Sequence, residues 1–173
     1  MTQPDFIVVD VETGGLDPKE HSLLSVGAVD LKSGREFYGE CKSEKQCTDK
    51  ALEINGIDLK EWQYKPSVAD MIKRFDEWVY DCTSKKILAG MNPRFDYDFL
   101  NQTFDECGIR NPFVFRTVDL HTLAYYKFDE SLSLNKICVK LGMGKEPDPH
   151  NALTGAKYEA KAFAMLFEMV GMT

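Results

Sequence analysis

The sequence predicts a mixed α/β fold, a five-stranded sheet with helices on both faces. Two observations carry that expectation. Residues 5–41 read as three strands joined by short turns, an antiparallel meander. From Pro66 onward, short apolar runs alternate with segments of helical periodicity, the pattern of strands linked through helices. At 173 residues the chain reads as one domain, 1–173, long enough to bury a substantial core.

The elements follow in order. Phe6–Val9 (FIVV) is a β-branched and aromatic run suited to a central strand buried on both faces. Ser22–Leu31 is the second strand, Lys32-Ser33-Gly34 a turn, and Arg35–Cys41 the third strand. A polar stretch, Lys42–Lys50, leads to a short helix at Ala51–Ile54, closed by Asn55-Gly56. Pro66 and Ser67 open a longer helix with Val68, Met71, Ile72, Phe75, Trp78, Val79 and Cys82 on one stripe. Lys86–Met91 is a fourth strand, parallel to the first. Phe95–Cys107 is a helix with Phe95, Phe99 and Phe104 inward, and Phe113–Val118 a fifth strand. A short helix runs from Leu120 to about Tyr126, and another spans Leu134–Leu141, ended by Gly142. The last helix spans Pro149–Val170, with Asp148 as N-cap and Pro149 at the first helical position.

Lys plus Arg number 21 and Asp plus Glu 28, a net charge of −7. That argues against a binder resting on phosphate neutralisation alone. It leaves room for a nuclease, because a metal-holding carboxylate cluster is itself acidic. The five cysteines form no Cys-x-x-Cys pair and suggest no zinc site; free thiols suit a reducing cytoplasm. The MTQPD terminus lacks a signal peptide's basic and apolar regions, and no apolar run is long enough to span a membrane. A cytoplasmic protein without membrane attachment is expected.

Asp10 and Glu12 follow the first strand one residue apart, so an extended chain points both to one face. Like charges there repel and resist desolvation, and a hard divalent cation answers both problems. The alternative is a strand ending in a solvated acidic turn. Thr13-Gly14-Gly15 would let the backbone turn sharply and stay uncovered. Asp96, on an otherwise apolar helix turn, is either a third ligand or a helix-start charge facing water; Asp98 faces water. Asp119 caps the following short helix. His150, in the first turn of the last helix, would be held neutral by the helix dipole and could accept a proton.

Taken in order, VDVETGGL, NPRFDYDFL and HNALTGA resemble the three motifs of the DEDDh class of 3′-to-5′ exonucleases, which includes ribonuclease T. The likeness continues through ALEINGI, KPSVADMIKRF, RNPFVFRTVDLHTLA and LSLNKICVKLGM, nearly the whole chain. It implies a ribonuclease H-like fold and two Mg²⁺ or Mn²⁺ ions, about 4 Å apart, clamping the attacking and leaving oxygens. Asp10 matches the carboxylate shared by both ions, Glu12 a ligand of the first, Asp96 a ligand of the second, and His150 the general base. Thr13, Gly14 and Leu16 match positions that hold the terminal nucleotide, Leu16 against the last base; Asn92 of the second motif joins this set. The implied partner is the 3′ end of a single-stranded DNA or RNA, with a polymerase or a second copy of the chain as further candidates. The implied product is a nucleoside 5′-monophosphate.

One departure matters. The third motif places an aspartate five residues after the histidine, and here that position is Gly155. Glu159 lies one turn further along the stripe of Ala152, Gly155, Ala162 and Leu166. Helical side chains lean toward the amino terminus, so Glu159 is expected to reach over Gly155 and serve as the substitute metal ligand. The competing expectation is a weakened domain that binds nucleic acid or a polymerase without cutting.

Overall fold

A computed structural model of the chain describes residues 4–171. β1 (Ile7–Thr13), β2 (Leu23–Asp30) and β3 (Glu36–Glu40) pair antiparallel. β4 (Leu88–Gly90) lies parallel to β1 on its other side, and β5 (Thr117–Asp119) parallel to β4. The order β3-β2-β1-β4-β5 makes the five-stranded mixed sheet expected from the sequence.

The period of the first strand builds two cores. Ile7, Val9 and Val11 enter one, with Met71, Ile72, Phe75 and Val79 of α3 (Val68–Asp81) and Phe99, Leu100 and Phe104 of α4 (Pro93–Glu106). Phe6 and Val8 enter the other, with Ile137 of α6 (Leu134–Lys140) and Ala156, Phe163 and Leu166 of α7 (Ala152–Met169). Asp10 and Glu12 continue the Val8 row, so alternation alone sends them to the α7 side. The strand runs on to Thr13, and the two carboxylates stand within it rather than beyond its end. The first turn of α7 lies against Gly27 of β2, where an added Cβ would come within 2.1 Å of the Ala152 carbonyl carbon. That close approach lays α7 over β1.

Several boundaries differ from the sequence reading. The parallel strands are three residues each, because pairing holds only over Leu88–Gly90 and Thr117–Asp119. A short helix, α2 (Leu59–Trp62), follows α1 (Asp49–Asn55) and was not expected; the Asp58 side chain caps it through the Lys60 N–H. The last helix begins at Ala152, not Pro149. Asn151 is its N-cap, accepting from the Leu153 and Thr154 N–H groups at 3.1 and 3.2 Å, so neither Asp148 nor Pro149 takes part. His150 therefore lies before the helix, and the dipole argument for its neutrality does not apply. All five cysteines are free thiols, and among the described residues no helix is long and apolar enough to cross a membrane.

Candidate active site

The edge of β1 explains where Asp96 goes. Pairing with β4 ends at Val8 and Ala89, so later N–H groups on that edge have no strand partner. Asp96 fills the gap: its Oδ1 accepts the Val11 N–H at 3.0 Å, and the residue is buried. The expected water-facing alternative for Asp96 is thereby excluded. Asp98 is exposed and pairs with Arg94. α4 starts where Asn92 adopts a left-handed conformation (φ 57°) and Pro93 takes the first helical position. Asp119 accepts the Asn92 N–H at 3.2 Å while capping α5 (Leu120–Phe128) through the His121 N–H at 3.0 Å. The expected cap thus also anchors the turn that delivers Asp96.

Across the site, α7 presents Gly155 to Asp10. A Cβ on Gly155 would fall 2.0 Å from Asp10 Oδ2, far inside contact distance. The glycine is what lets the Asp10 carboxylate lie against the helix. Glu159 is only 4% exposed, on the stripe the sequence identified. Of the neighbouring acids it acts most strongly on Asp10. Glu159 Oε2 lies 3.0 Å from where a Gly90 Cβ would stand, toward the end of β4, and has no hydrogen-bond partner among the described residues. The carboxylate beside Gly155 belongs instead to Glu146, whose Oε1 is 3.2 Å from the Gly155 Cβ position. Sequence reasoning missed Glu146. It sits in an aperiodic loop, and its one signal was an acid shortly before His150 in a chain lacking the usual acid after it.

These carboxylates raise one another's proton affinity. Burial, then Glu159, Asp96, Glu12 and Glu146, push Asp10 well above the usual carboxylate range. Burial, then Glu146 and Asp96, lift Glu12 to about 7. Burial lifts Asp96 to about 7 despite the opposing Val11 N–H. Burial and then Asp96 raise Glu159, and burial raises Glu146 against the nearby His150. Among the described residues, no three His, Cys, Asp or Glu side chains already surround one point as ligands of an ion. The donor set nevertheless fits Mg²⁺ or Mn²⁺: all its atoms are hard oxygens, two of the residues, Asp96 and Glu159, are buried, and one oxygen of Glu159 has no partner among the described residues.

His150 stands at the rim, its side chain 42% exposed, with Nε2 3.8 Å from Asp148 Oδ1. Its backbone N–H reaches the Ile54 carbonyl at 3.4 Å, and Pro149 packs on Gly56 after α1. Asn55 Nδ2 in turn donates to the Thr13 carbonyl at 3.1 Å, tying α1 to the end of β1. Between them opens a groove of about 630 Å³, lined by Glu12, Thr13, Leu16, Ile54 and Phe95 among others. Leu16 stands 84% exposed at its lip. The turn after β1 is covered, contrary to expectation. Gly14 lies under Cys47 and Gly15 under His21, and the Gly14 N–H and C=O are bonded to the Ser22 carbonyl and the Thr48 N–H. Thr13 Oγ1 is likewise engaged, with the Gly15 carbonyl at 2.7 Å. Asn92 is exposed, with no capping bond from its side chain. A larger hollow of about 1050 Å³, between Tyr80, Asn101 and Phe115, contains none of the site carboxylates.

A sequence model of the RNase T exonuclease family matches residues 7–163, nearly the whole chain. The chain belongs to that family. The DEDDh resemblance read from the three motifs is borne out. This exonuclease domain is 29% identical over 171 residues to a PolC-type DNA polymerase III of Thermotoga maritima, covering 95% of the chain and 12% of the relative. The chain therefore spans about an eighth of that polymerase. It is 27% identical over 173 residues to the 3′-5′ DNA exonuclease Cap18 of Escherichia coli, covering 93% of the chain and 90% of Cap18. Among solved structures, E. coli exonuclease I with a 5cy-dT13 oligonucleotide superposes with a TM-score of 0.78 at 18% identity, over 96% of this chain and 41% of that one. The nuclease domain of 3′hExo, a DEDDh family member bound to rAMP, superposes at 0.75 and 19% identity, over 96% and 92%. These two likenesses establish the ribonuclease H-like exonuclease fold.

Proposed function

We propose that this exonuclease domain removes nucleoside 5′-monophosphates from the 3′ ends of single-stranded DNA or RNA, with Mg²⁺ or Mn²⁺ as cofactor. The observation that carries the reading is a set of mutually repelling, largely buried carboxylates opening onto an apolar groove of nucleotide size. Asp10, Glu12, Asp96 and Glu159 hold the two ions. When bound, the ions neutralise these carboxylates and offset negative charge on the phosphoryl oxygens. The chain supplies the rest. Leu16, Ile54 and Phe95 clasp the terminal base, while Thr13 forms the groove wall and Gly14 lets residues 46–48 close behind it. Asn92 offers its free side chain beside the second motif. His150 takes the proton of the attacking water from the open side, where its imidazole is accessible.

The names of relatives support this direction and substrate class, Cap18 for 3′-to-5′ action on DNA and exonuclease I for binding single strands. The PolC-type context favours a polymerase over a second copy as protein partner. Gly155 supports a second reading, a domain that holds a strand without cutting it. Incubation with 5′-labelled single-stranded DNA and RNA plus Mn²⁺ separates the two. Stepwise shortening from the 3′ end, stopped by EDTA or by a 3′-phosphate, is expected. Retention of full-length strand at every Mn²⁺ concentration would refute the nuclease reading.

A further inference from the structure

Glu146 occupies the space that the family's third-motif aspartate would fill. Its Oε1 and Asp10 Oδ2 lie 3.2 and 2.0 Å from one point, the position of a Cβ on Gly155. Its backbone is fixed from outside the loop: the Glu146 N–H donates to Asn135 Oδ1 of α6 at 2.9 Å. The side chain is half-buried and turned inward, whereas Asp148 and His150 on the same loop are exposed. A separate feature marks the region as a ligand site rather than a patch of acids. Glu159, 4% exposed, keeps an oxygen with no hydrogen-bond partner among the described residues. Buried acceptors are ordinarily satisfied. That oxygen lies 3.0 Å from the Cβ position of Gly90, and after Asp10 the carboxylate oxygen nearest the Cβ position of Gly155 belongs to Glu146.

We infer that Glu146 supplies the carboxylate that position 155 lacks, and with Asp10 and Glu12 holds a divalent cation. The inference rests on the metal-dependent reading above. It changes which part of the chain completes the site. A ligand fixed on a helix becomes one on a loop, four residues before the proposed general base. Ion binding then orders the loop that carries His150, so the ion and the base arrive together.

The test is Mn²⁺ binding to the purified protein, followed by calorimetry and by the electron paramagnetic resonance of free Mn²⁺. Glu146→Gln keeps the side chain's size and removes its charge. Glu77→Gln, an exposed acid on α3, serves as control. Wild type and Glu77→Gln are expected to bind alike, and Glu146→Gln to lose at least 10-fold in affinity at one site. Hydrogen exchange across residues 145–151 should slow on Mn²⁺ addition in wild type and not in Glu146→Gln. If wild type binds Mn²⁺ and Glu146→Gln matches it in affinity and loop protection, the assignment of Glu146 fails while the nuclease reading stands. If wild type binds no Mn²⁺, both fall. Equal weakening by Glu77→Gln would reduce the effect to net charge and overturn the assignment.

Discussion

Without divalent cations, the site should make the protein less stable at pH 8 than at pH 5. Glu12 is raised from 4.5 to about 7 and Asp96 from 3.8 to about 7. A carboxyl whose folded pKa exceeds its unfolded one favours folding while protonated. Its contribution is fully present below the unfolded pKa, near 4, and is lost as pH rises through the folded pKa, near 7. Each unit is worth about 1.4 kcal/mol, and about two units of each shift lie above pH 5, so Glu12 and Asp96 each lose about 3 kcal/mol between pH 5 and pH 8. The two share neighbours and do not add in full. A net loss of about 3 kcal/mol lowers the melting temperature of a domain this size by about 6–12 °C. Asp30 shapes the acid side in the opposite sense. Burial raises its pKa, but hydrogen bonds from Ser33, Ser84, Thr83 and Lys32 outweigh that and hold it far below the usual range. Its contribution is lost only as pH falls below about 4. A ligand at 100 times its dissociation constant adds about 2.7 kcal/mol, so saturating Mn²⁺ should offset most of the loss at pH 8. At pH 5 protons hold the carboxylates, and Mn²⁺ should shift melting much less. Thermal melts in EDTA and in Mn²⁺ from pH 5 to 8 measure both effects. A flat EDTA curve, or equal Mn²⁺ shifts at pH 5 and pH 8, would refute the reasoning.

Further outcomes follow from single contacts. Asp96→Asn keeps an oxygen for the Val11 N–H and should unfold within about 1 kcal/mol of wild type, whereas Asp96→Ala leaves that buried donor unpaired and costs about 1–3 kcal/mol more. Both should abolish cleavage; equal denaturant midpoints for the two would show the Val11 contact to be inert. Glu159→Gln should raise metal-free stability at pH 8 and weaken Mn²⁺ binding, and unchanged binding with unchanged cleavage rules out Glu159 as a ligand. Leu16→Ala should raise KM for an oligonucleotide about 10-fold, the scale of one lost base contact, and leave kcat and melting unmoved because the side chain is 84% exposed. His150→Gln should cut kcat by about 10²–10⁴ and leave Mn²⁺ affinity intact, so a matching fall in affinity would assign the histidine a different role.

What could be read from the sequence divides by the range of the interactions concerned. The FIVV run, the α3 stripe and the Asp119 cap are local patterns, and each stands where periodicity or capping chemistry put it. The short parallel strands are overextended in a local reading because Lys86, Ile87 and Phe113–Arg116 resemble strand residues but lie outside the paired register, held only by single bonds such as Val114 N–H to the Lys86 carbonyl at 2.9 Å. The start of α7 is not decided locally, because Asp148, Pro149 and Asn151 all suit a helix start. The choice falls to the one whose side chain bonds Leu153 and Thr154 while donating to the Tyr38 hydroxyl at 3.0 Å. That hydroxyl comes from β3, over a hundred residues away, and no local pattern contains it.

Gly155 shows why a missing ligand is a poor guide to a missing function. Counted as a motif position, it subtracts a carboxylate. Placed in the fold, it is the surface on which Asp10 rests, since any Cβ there would displace the Asp10 carboxylate. The acids around it come from β1, α4, α7 and the loop before α7, and none depends on another for its place in the chain. Only the folded sheet brings them together, and it does so at a cost in proton affinity that each of them registers. Folding tolerates that cost because Ile7, Val8, Val9 and Val11 of the same strand are buried on both faces. A buried strand strong enough to carry charged neighbours is also what holds them steady for a cation, and a helix stripped of one side chain leaves the room for it.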